Sequence, residues 1–176
     1  MDLIKTPNPS FDKKLFLQSL AKQDQPVEFK ITGVGNIFKS KMNGNPHFFI
    51  EMEILTDFPD CKTYELDLTG KHLINADGTK NIVNINAKGE IMGFPYQLVP
   101  SEEPEKYTIS NKTNLFNLVN YAFITKGIVS EGNQQGFNNV TFDEIKEALL
   151  GLEFKATSIL HTKTRYNPYY KLVPVK

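Results

Sequence analysis

The sequence predicts an α+β domain: a curled, mostly antiparallel sheet with two helices inserted before a C-terminal hairpin. Apolar and polar residues alternate with a period of two from Val27 to Thr32 and in several later runs, which is typical of half-buried strands. Two runs after residue 112 instead place apolar residues at helical spacing. Alternation then resumes on both sides of a turn near the C-terminal end. Together these patterns indicate strands first, then a helical pair, then a strand hairpin.

Length and composition indicate one domain. The 176 residues are 40% hydrophobic, which is enough apolar material for a core. We expect residues 1–26 to form an N-terminal arm or short helix and residues 27–176 to form a single domain. Cys61 is the only cysteine, which excludes an internal disulfide framework and a Cys-rich zinc module. The first residues lack a signal-peptide pattern and no apolar run reaches about 18 residues, so we expect a cytoplasmic protein without a membrane partner.

The first strand carries a signal for curling. Gly33 and Gly35 interrupt its alternation, and two glycines so close together in a strand predict a bulge or a sharp bend. Asn43-Gly44 then marks a hairpin, and the second strand puts Phe48 inward and Phe49 outward. A curled first strand suits a closed or strongly coiled sheet.

Further extended segments are expected before the helices. A third strand should place Tyr64, Leu66 and Leu68 inward. Residues 82–86 predict another short strand. Residues 91–99 predict an extended segment that Pro95 restricts to the edge of a sheet.

Both predicted helices have capping signals. The first runs from Thr113 to Ile124, with Asn111 or Thr113 as its N-cap. The second follows the capping box Thr141–Glu144, in which each side chain satisfies a backbone donor of the other residue. Gly151 is expected to end this helix. We expect both helices to cap the sheet without touching a ligand.

The 20 basic and 20 acidic residues balance overall but are unevenly distributed. Residues 155–176 contain five cations and no carboxylate, and residues 30–47 contain three cations and no carboxylate. A polyanion responds to the local field, so this distribution is compatible with nucleic-acid binding. Ordinary solvated faces can segregate charge in the same way.

The sequence offers no complete catalytic, cofactor or metal motif. Gly33-Val34-Gly35 lacks the third glycine of a dinucleotide fingerprint, and Gly70-Lys71 lacks the flanking residues of a phosphate loop. The three histidines and Cys61 lack metal-ligand spacing. The acids between Asp57 and Asp67 are candidates for a divalent cation, although their alternation with core residues favours an acidic strand face. We therefore expect a protein that is not an enzyme and has no cofactor or metal.

The remaining signal is a set of aromatic and cationic residues at outward strand positions and in adjoining loops. Exposed rings stack on bases while Lys and Arg follow phosphates, which is what sequence-tolerant binding of single strands requires. The β-propensity of aromatic residues and the protection of sheet edges by lysine explain the same pattern without a ligand. The candidate nucleic-acid-binding residues are Lys30, Phe38, Lys39, Lys41, His47, Phe49, Lys155, His161, Lys163, Arg165, Tyr166, Tyr169 and Lys171.

Two parts of the chain resemble known nucleic-acid-binding families. Residues 27–56, a curled strand, a basic loop and a second strand, resemble the opening of oligonucleotide-binding (OB) folds. Residues 113–119, 142–156 and 166–172 are similar to the ending of small phage and prophage single-stranded-DNA-binding proteins. The shared features are a leucine-rich helix, a loop, a second helix, a Leu-x-Gly-x-x-Phe strand (residues 149–154) and a Tyr-rich final strand. The resemblance implies an OB-like β-barrel or sheet with single-stranded DNA as the partner.

The resulting hypothesis is a non-catalytic OB-like domain that binds single-stranded DNA, largely independently of sequence, in phage replication or recombination. A homo-oligomer is compatible with this role, because single OB units often gain site size by association. One alternative is a structural or protein-interaction module, such as a virion or assembly component. Another is a metal-dependent nuclease built on the acids between Asp57 and Asp67.

Overall fold

A six-stranded antiparallel sheet forms the centre of the computed structural model, in which residues 15–16, 19–20, 25–41, 43–161 and 169–175 are described, with side chains as far as Ala156. The strands are β1 (Val27–Val34), β2 (Phe38–Lys39), β3 (Pro46–Ile54), β4 (Cys61–Tyr64), β5 (Ile82–Ile85), β6 (Ile91–Gln97), β7 (Val99–Pro100), β8 (Lys106–Ile109), β9 (Phe137–Thr141), β10 (Glu153–His161) and β11 (Tyr169–Val175).

The central sheet has the order β11-β10-β1-β3-β2, and β6 pairs along the other side of β3. Strand β2 lies along the same side of β3 as β1 and pairs with the first residues of β3. Strands β4 and β5 form a separate two-stranded sheet, and β7, β8 and β9 form a three-stranded one. These three sheets are open, and no closed barrel is found among the described residues. The coarse prediction of an α+β fold with mostly antiparallel strands is therefore confirmed.

The predicted bend in the first strand is present in β1. Phe29 pairs with Ile54 and Val34 pairs with Ile50, so β1 uses one residue more than β3 over the same stretch. The register shifts between Ile31 and Gly33. A bulge of this kind bends the strand and increases its twist. The two close glycines therefore predicted the irregularity correctly.

Two helices precede the β10–β11 hairpin, as predicted: α1 (Asn114–Thr125) and α2 (Phe142–Leu149). Thr113 Oγ1 accepts a hydrogen bond of 3.2 Å from the backbone N–H of Phe116 and caps α1. The capping box of α2 is complete, because Thr141 Oγ1 accepts from the Glu144 N–H while Glu144 Oε1 accepts from the Thr141 N–H. Gly151 follows α2 with a φ of +82°, which is the left-handed conformation of a helix end.

The helices cover one face of the central sheet, here called the inner face. Phe29 and Phe154 stack there with ring centroids 5.6 Å apart, and Phe48 meets Phe142 of α2 edge-on at 5.3 Å. The ring of Tyr121 in α1 packs near that of Phe154, with ring centroids 6.4 Å apart. The opposite face, called the outer face, carries the residues that alternate with this core.

The expected N-terminal arm contributes to the same core. Residues 15–16 and 19–20 of this arm or short helix are helical, and residues 1–14, 17–18 and 21–24 lie outside the described residues. Phe16 and Leu20 are fully buried in the core. Ser19 Oγ also accepts a 2.8 Å hydrogen bond from the backbone N–H of Lys62 at the start of β4.

The prediction of the third strand is wrong in the length of the strand and in which of its residues face the core. Strand β4 ends at Tyr64, its buried residues are Cys61 and Thr63, and Leu68 is fully exposed. The chain turns because Asp67 Oδ1 accepts hydrogen bonds from the backbone N–H groups of Thr69 and Lys71, at 2.8 and 3.0 Å. An Asp side chain that closes a turn in this way interrupts a strand that the alternation of apolar residues would extend.

The predictions of extended segments at residues 82–86 and 91–99 agree better with the structure. Strand β5 covers Ile82–Ile85, and β6 covers Ile91–Gln97 with Pro95 inside it. Among the strands of the described residues, β6 pairs only with β3, which is the edge position that its proline predicts. None of the helices in the described residues has both the length and the apolar character needed to span a bilayer.

Candidate nucleic-acid interface

The outer face of the central sheet carries an exposed aromatic cluster. Phe38 of β2 stacks on Phe49 of β3 with ring centroids 5.4 Å apart and ring planes 14° from parallel. The ring of His47 lies 6.1 Å from that of Phe38. Phe38 is 39% and Phe49 is 42% exposed. These three residues, Phe38, His47 and Phe49, are called the aromatic patch below.

Backbone pairing brings the patch together. Phe38 pairs with His47 across the β2–β3 hairpin, so the two side chains leave the sheet on the same side. Phe49 lies two residues further along β3, on the same face. On its other side Phe49 covers Gly93 of β6, where an added Cβ would lie 3.7 Å from Phe49 Cδ1. At this distance the added atom would make an ordinary van der Waals contact, so the Phe49 ring packs against the backbone of β6 at Gly93.

The β2–β3 hairpin next to the patch carries two of the candidate cations, Lys39 in β2 and Lys41 on the turn. Ser40 donates its backbone N–H to the Asn45 carbonyl at 2.9 Å and closes the turn, and Lys41 is exposed on it. Lys39 pairs with Pro46, a position that alternates with His47, so it leaves the sheet on the side opposite Phe38. Strand alternation therefore directs Lys39 away from the patch. Lys41 lies on the turn and is not constrained in this way.

Two other candidate cations of the central sheet face carboxylates. Lys155 Nζ lies 3.3 Å from a Glu28 oxygen, and Lys30 Nζ lies 4.0 Å from a Glu153 oxygen. Glu53 of β3 is also directly opposite Lys30. The charges of Lys30 and Lys155 are therefore balanced locally, and this part of the outer face is not a basic surface.

The C-terminal candidates are described only by their backbone or not at all. His161 pairs with Tyr169, and Ile159 pairs with Lys171. His161 lies eight residues beyond Glu153 along β10, which is about 26 Å at the usual rise of a strand. The β1–β10 register carries β10 past the start of β1, away from the β1 end that adjoins β2. Lys163, Arg165 and Tyr166 lie outside the described residues.

A buried carboxylate lies on the outer face between Phe49 and Glu53. Glu51 is only 3% exposed, although alternation predicts an outward position. Its Oε1 accepts a 2.8 Å hydrogen bond from Thr32 Oγ1, and its Oε2 has no hydrogen-bond partner among the described residues. Sequence reasoning missed this burial because Glu51 follows the same alternation as Glu53, which is half-buried.

The acids of residues 57–67 serve turns and local contacts. Hydrogen bonds from the Thr69 hydroxyl and the Lys71 backbone lower the pKa of Asp67. Asn86 donates to Asp57, and Asn81 donates to Glu65. Among the described residues, no three His, Cys, Asp or Glu side chains lie close enough together to hold a metal ion.

Comparison with known proteins provides no relative. No protein-family model, curated protein or solved structure matches the chain. The residues described above are therefore the basis for a functional interpretation.

Proposed function

We propose that the chain binds single-stranded DNA without catalysis, through the aromatic patch and the adjoining β2–β3 turn, on an OB-like curled sheet. The observation that carries this proposal is the exposed, nearly parallel stack of Phe38 on Phe49. Two rings held parallel on a sheet offer flat apolar surface to a base, and stacking of this kind tolerates every base because each has a π-face. Since the helices occupy the inner face, the patch is free of them.

The electrostatic part of the proposal is modest. Lys41 lies on the turn beside the patch, whereas Lys39 leaves the sheet on the opposite side and Lys30 and Lys155 already face glutamates. Each phosphate neutralised on a single strand contributes about −0.7 to the slope of log affinity against log salt. With Lys41 as the one such cation described beside the patch, we therefore expect a shallow slope of about −0.7, with stacking as the main source of affinity.

The test is fluorescence anisotropy with labelled oligo-dT, measured at two salt concentrations. Loss of one stacked base costs about 1–3 kcal/mol, so Phe49→Ala should weaken binding by roughly 5- to 150-fold with an unchanged salt slope. Lys41→Ala should instead lower the slope by about one unit or less. Ile74→Ala is the matched control, because Ile74 is an exposed apolar residue outside the patch.

Absence of binding at low salt would overturn the proposal. Equal affinity of the Phe49→Ala and Ile74→Ala variants would also overturn it, because the patch would then have no special role. Tyr169→Ala and Lys171→Ala ask a separate question, whether the β10–β11 hairpin belongs to the same surface. If it does, Tyr169→Ala weakens binding at all salt concentrations, while Lys171→Ala lowers the slope.

A second candidate function, a protein-interaction module, is favoured by a different observation. The segment around the β4–β5 hairpin exposes several large apolar side chains, and exposed apolar clusters mark interaction sites. Leu68 is fully exposed, and Ile74 and Ile82 are more than half exposed. Failure to bind oligo-dT, together with association that Leu68→Ser reduces in sedimentation velocity, would favour this function.

A further inference from the structure

An open cleft of about 840 Å³ lies between α1 and the loop that leads to β9. Its lining is rich in amide side chains, which are a minority of most clefts of this size. Tyr121 and Ile124 of α1 supply an apolar wall. The amide side chains are Asn111, Asn117, Asn120, Asn133 and Gln134.

Hydrogen bonds hold the loop wall of this cleft in place. Asn133 Nδ2 donates to Asn120 Oδ1 at 2.8 Å, and Asn120 Nδ2 donates back to the Asn133 carbonyl at 2.9 Å. Asn111 Nδ2 donates to the Gln134 carbonyl at 3.1 Å. The loop is therefore tied to α1 and to the turn before it, and the cleft has its shape before any ligand arrives.

A glycine extends the same wall. A Cβ at Gly136 would lie 2.6 Å from the Ile109 carbonyl oxygen and 3.2 Å from the Asn111 backbone nitrogen. Because there is no room for a side chain, the end of the loop packs directly on the end of β8. This close backbone contact fixes the position from which the amides project.

The groups left for a ligand are neutral donors and acceptors. Within the described part of the chain, the side-chain amides of Asn117 and Gln134 form no hydrogen bond to the protein. Among the residues that the structure describes, Glu131 is the one charged residue that lines the cleft, and no cation does. Phosphates and carboxylates would therefore meet a carboxylate without a counter-charge, which disfavours anionic ligands.

We propose that this cleft binds a neutral saccharide. An amide side chain offers a donor and an acceptor on adjacent atoms, which matches neighbouring hydroxyl groups that each donate and accept. The Tyr121 ring and Ile124 supply a surface for the apolar face of a sugar ring. The site is on the helical side of the sheet, lies apart from the aromatic patch, and is independent of DNA binding.

The test is a ¹H–¹⁵N NMR titration of the full chain with glucose, maltose and chitobiose to millimolar concentrations. Binding of at least one sugar should shift the side-chain amides of Asn117, Asn120 and Asn133 together with the backbone of residues 131–136. Asn117→Ala should weaken that sugar by about tenfold, the loss expected for one or two hydrogen bonds. This variant should fold, because alanine favours a helix and the Asn117 amide bonds to no other described residue.

Asn84→Ala is the matched control, since Asn84 is an exposed amide on β5. No amide shift with any of the three sugars would overturn the proposal, as would equal sugar affinity in the Asn117→Ala and Asn84→Ala variants. Shifts with a neutral peptide such as Gly-Ser-Gly but with no sugar would overturn it in favour of peptide binding. Phe49→Ala should leave sugar binding unchanged, so loss of DNA binding and loss of sugar binding are distinguishable.

Discussion

Thr32 Oγ1 donates a 2.8 Å hydrogen bond to Glu51 Oε1 next to the bulge of β1, while the other oxygen of the same carboxylate is buried and has no partner in the described part of the chain. A buried acceptor left unpaired costs about 1–3 kcal/mol, and more when it is charged. The outer face therefore contains a destabilising group two residues from Phe49.

Glu51→Gln should raise the free energy of unfolding by about 1 kcal/mol at pH 7. Glutamine keeps an acceptor for Thr32 and removes the charge that burial penalises. Urea denaturation measures the change. Glu53→Gln is the control: it removes the same charge from a half-buried position on the same strand and should change stability by less than about 0.5 kcal/mol. A loss of stability in Glu51→Gln larger than in the control would contradict the prediction.

Gly136→Ala should lower the free energy of unfolding by about 1–3 kcal/mol. The new methyl group would meet the Ile109 carbonyl oxygen at 2.6 Å, so either β8 or the loop must move. Gly132→Ala, in the same loop, is the matched control, because no atom lies within 4 Å of its added Cβ. The control should be neutral or stabilising by up to about 1 kcal/mol. Thermal unfolding of the two variants compares them directly, and equal melting temperatures would show that the loop absorbs the clash.

Thr141→Ala should cost about 1 kcal/mol of stability, within the range of 0.5–2 for loss of an N-cap. Its hydroxyl accepts the Glu144 N–H at 3.1 Å and begins α2, which covers Phe48 of the core. Thr141→Ser keeps the hydroxyl and should retain most of this stability. If serine and alanine cost the same in urea denaturation, the threonine methyl group and not the cap would be responsible.

The only thiol of the chain should be unreactive in the native state. Burial raises the pKa of Cys61 above its ordinary value of 9.0, the Ser19 hydroxyl opposes this shift, and Asp60 adds to it. Because the folded state favours the neutral thiol, this contribution to stability is fully present below pH 9.0. It is lost as the pH rises through the raised folded value.

Reaction with Ellman's reagent at pH 8 should therefore be slow in buffer and fast in guanidinium chloride. Above pH 9, the wild type should lose stability faster than Cys61→Ala, which has no group to ionise at this position. Parallel stability curves for the two proteins across that interval would argue against a buried thiol with a raised pKa.

Local signals in the sequence predicted local structure well. The bend at Gly33 and Gly35, the cap of α1 (expected at Asn111 or Thr113) and the capping box at Thr141 each depend on backbone groups within a few residues, so their chemistry is visible in a short stretch of sequence. The prediction of the third strand was wrong for the opposite reason. Alternation at Tyr64, Leu66 and Leu68 is also what two tight turns can produce, and burial decides between the two.

The candidate interface was predicted in part. Alternation placed Phe49 outward, and Phe49 is exposed in the structure. Its stack with Phe38 depends on the hairpin register, which pairs Phe38 with His47, and a sequence pattern does not specify that register. The cleft beside α1 was missed because its amides belong to a helix, a turn and a loop, with no shared motif.

The sequence by itself determined the α+β class, the helix caps, the bend in the first strand and the outward position of Phe49, because short-range backbone chemistry and strand periodicity specify these features. Only the tertiary structure decided that Lys30 and Lys155 face glutamates, that Glu51 is buried, and that Phe38 lies flat on Phe49. The physical reason is that each of these contacts joins separate strands. Their partners depend on register, and register is settled by packing of the whole core rather than by any one segment.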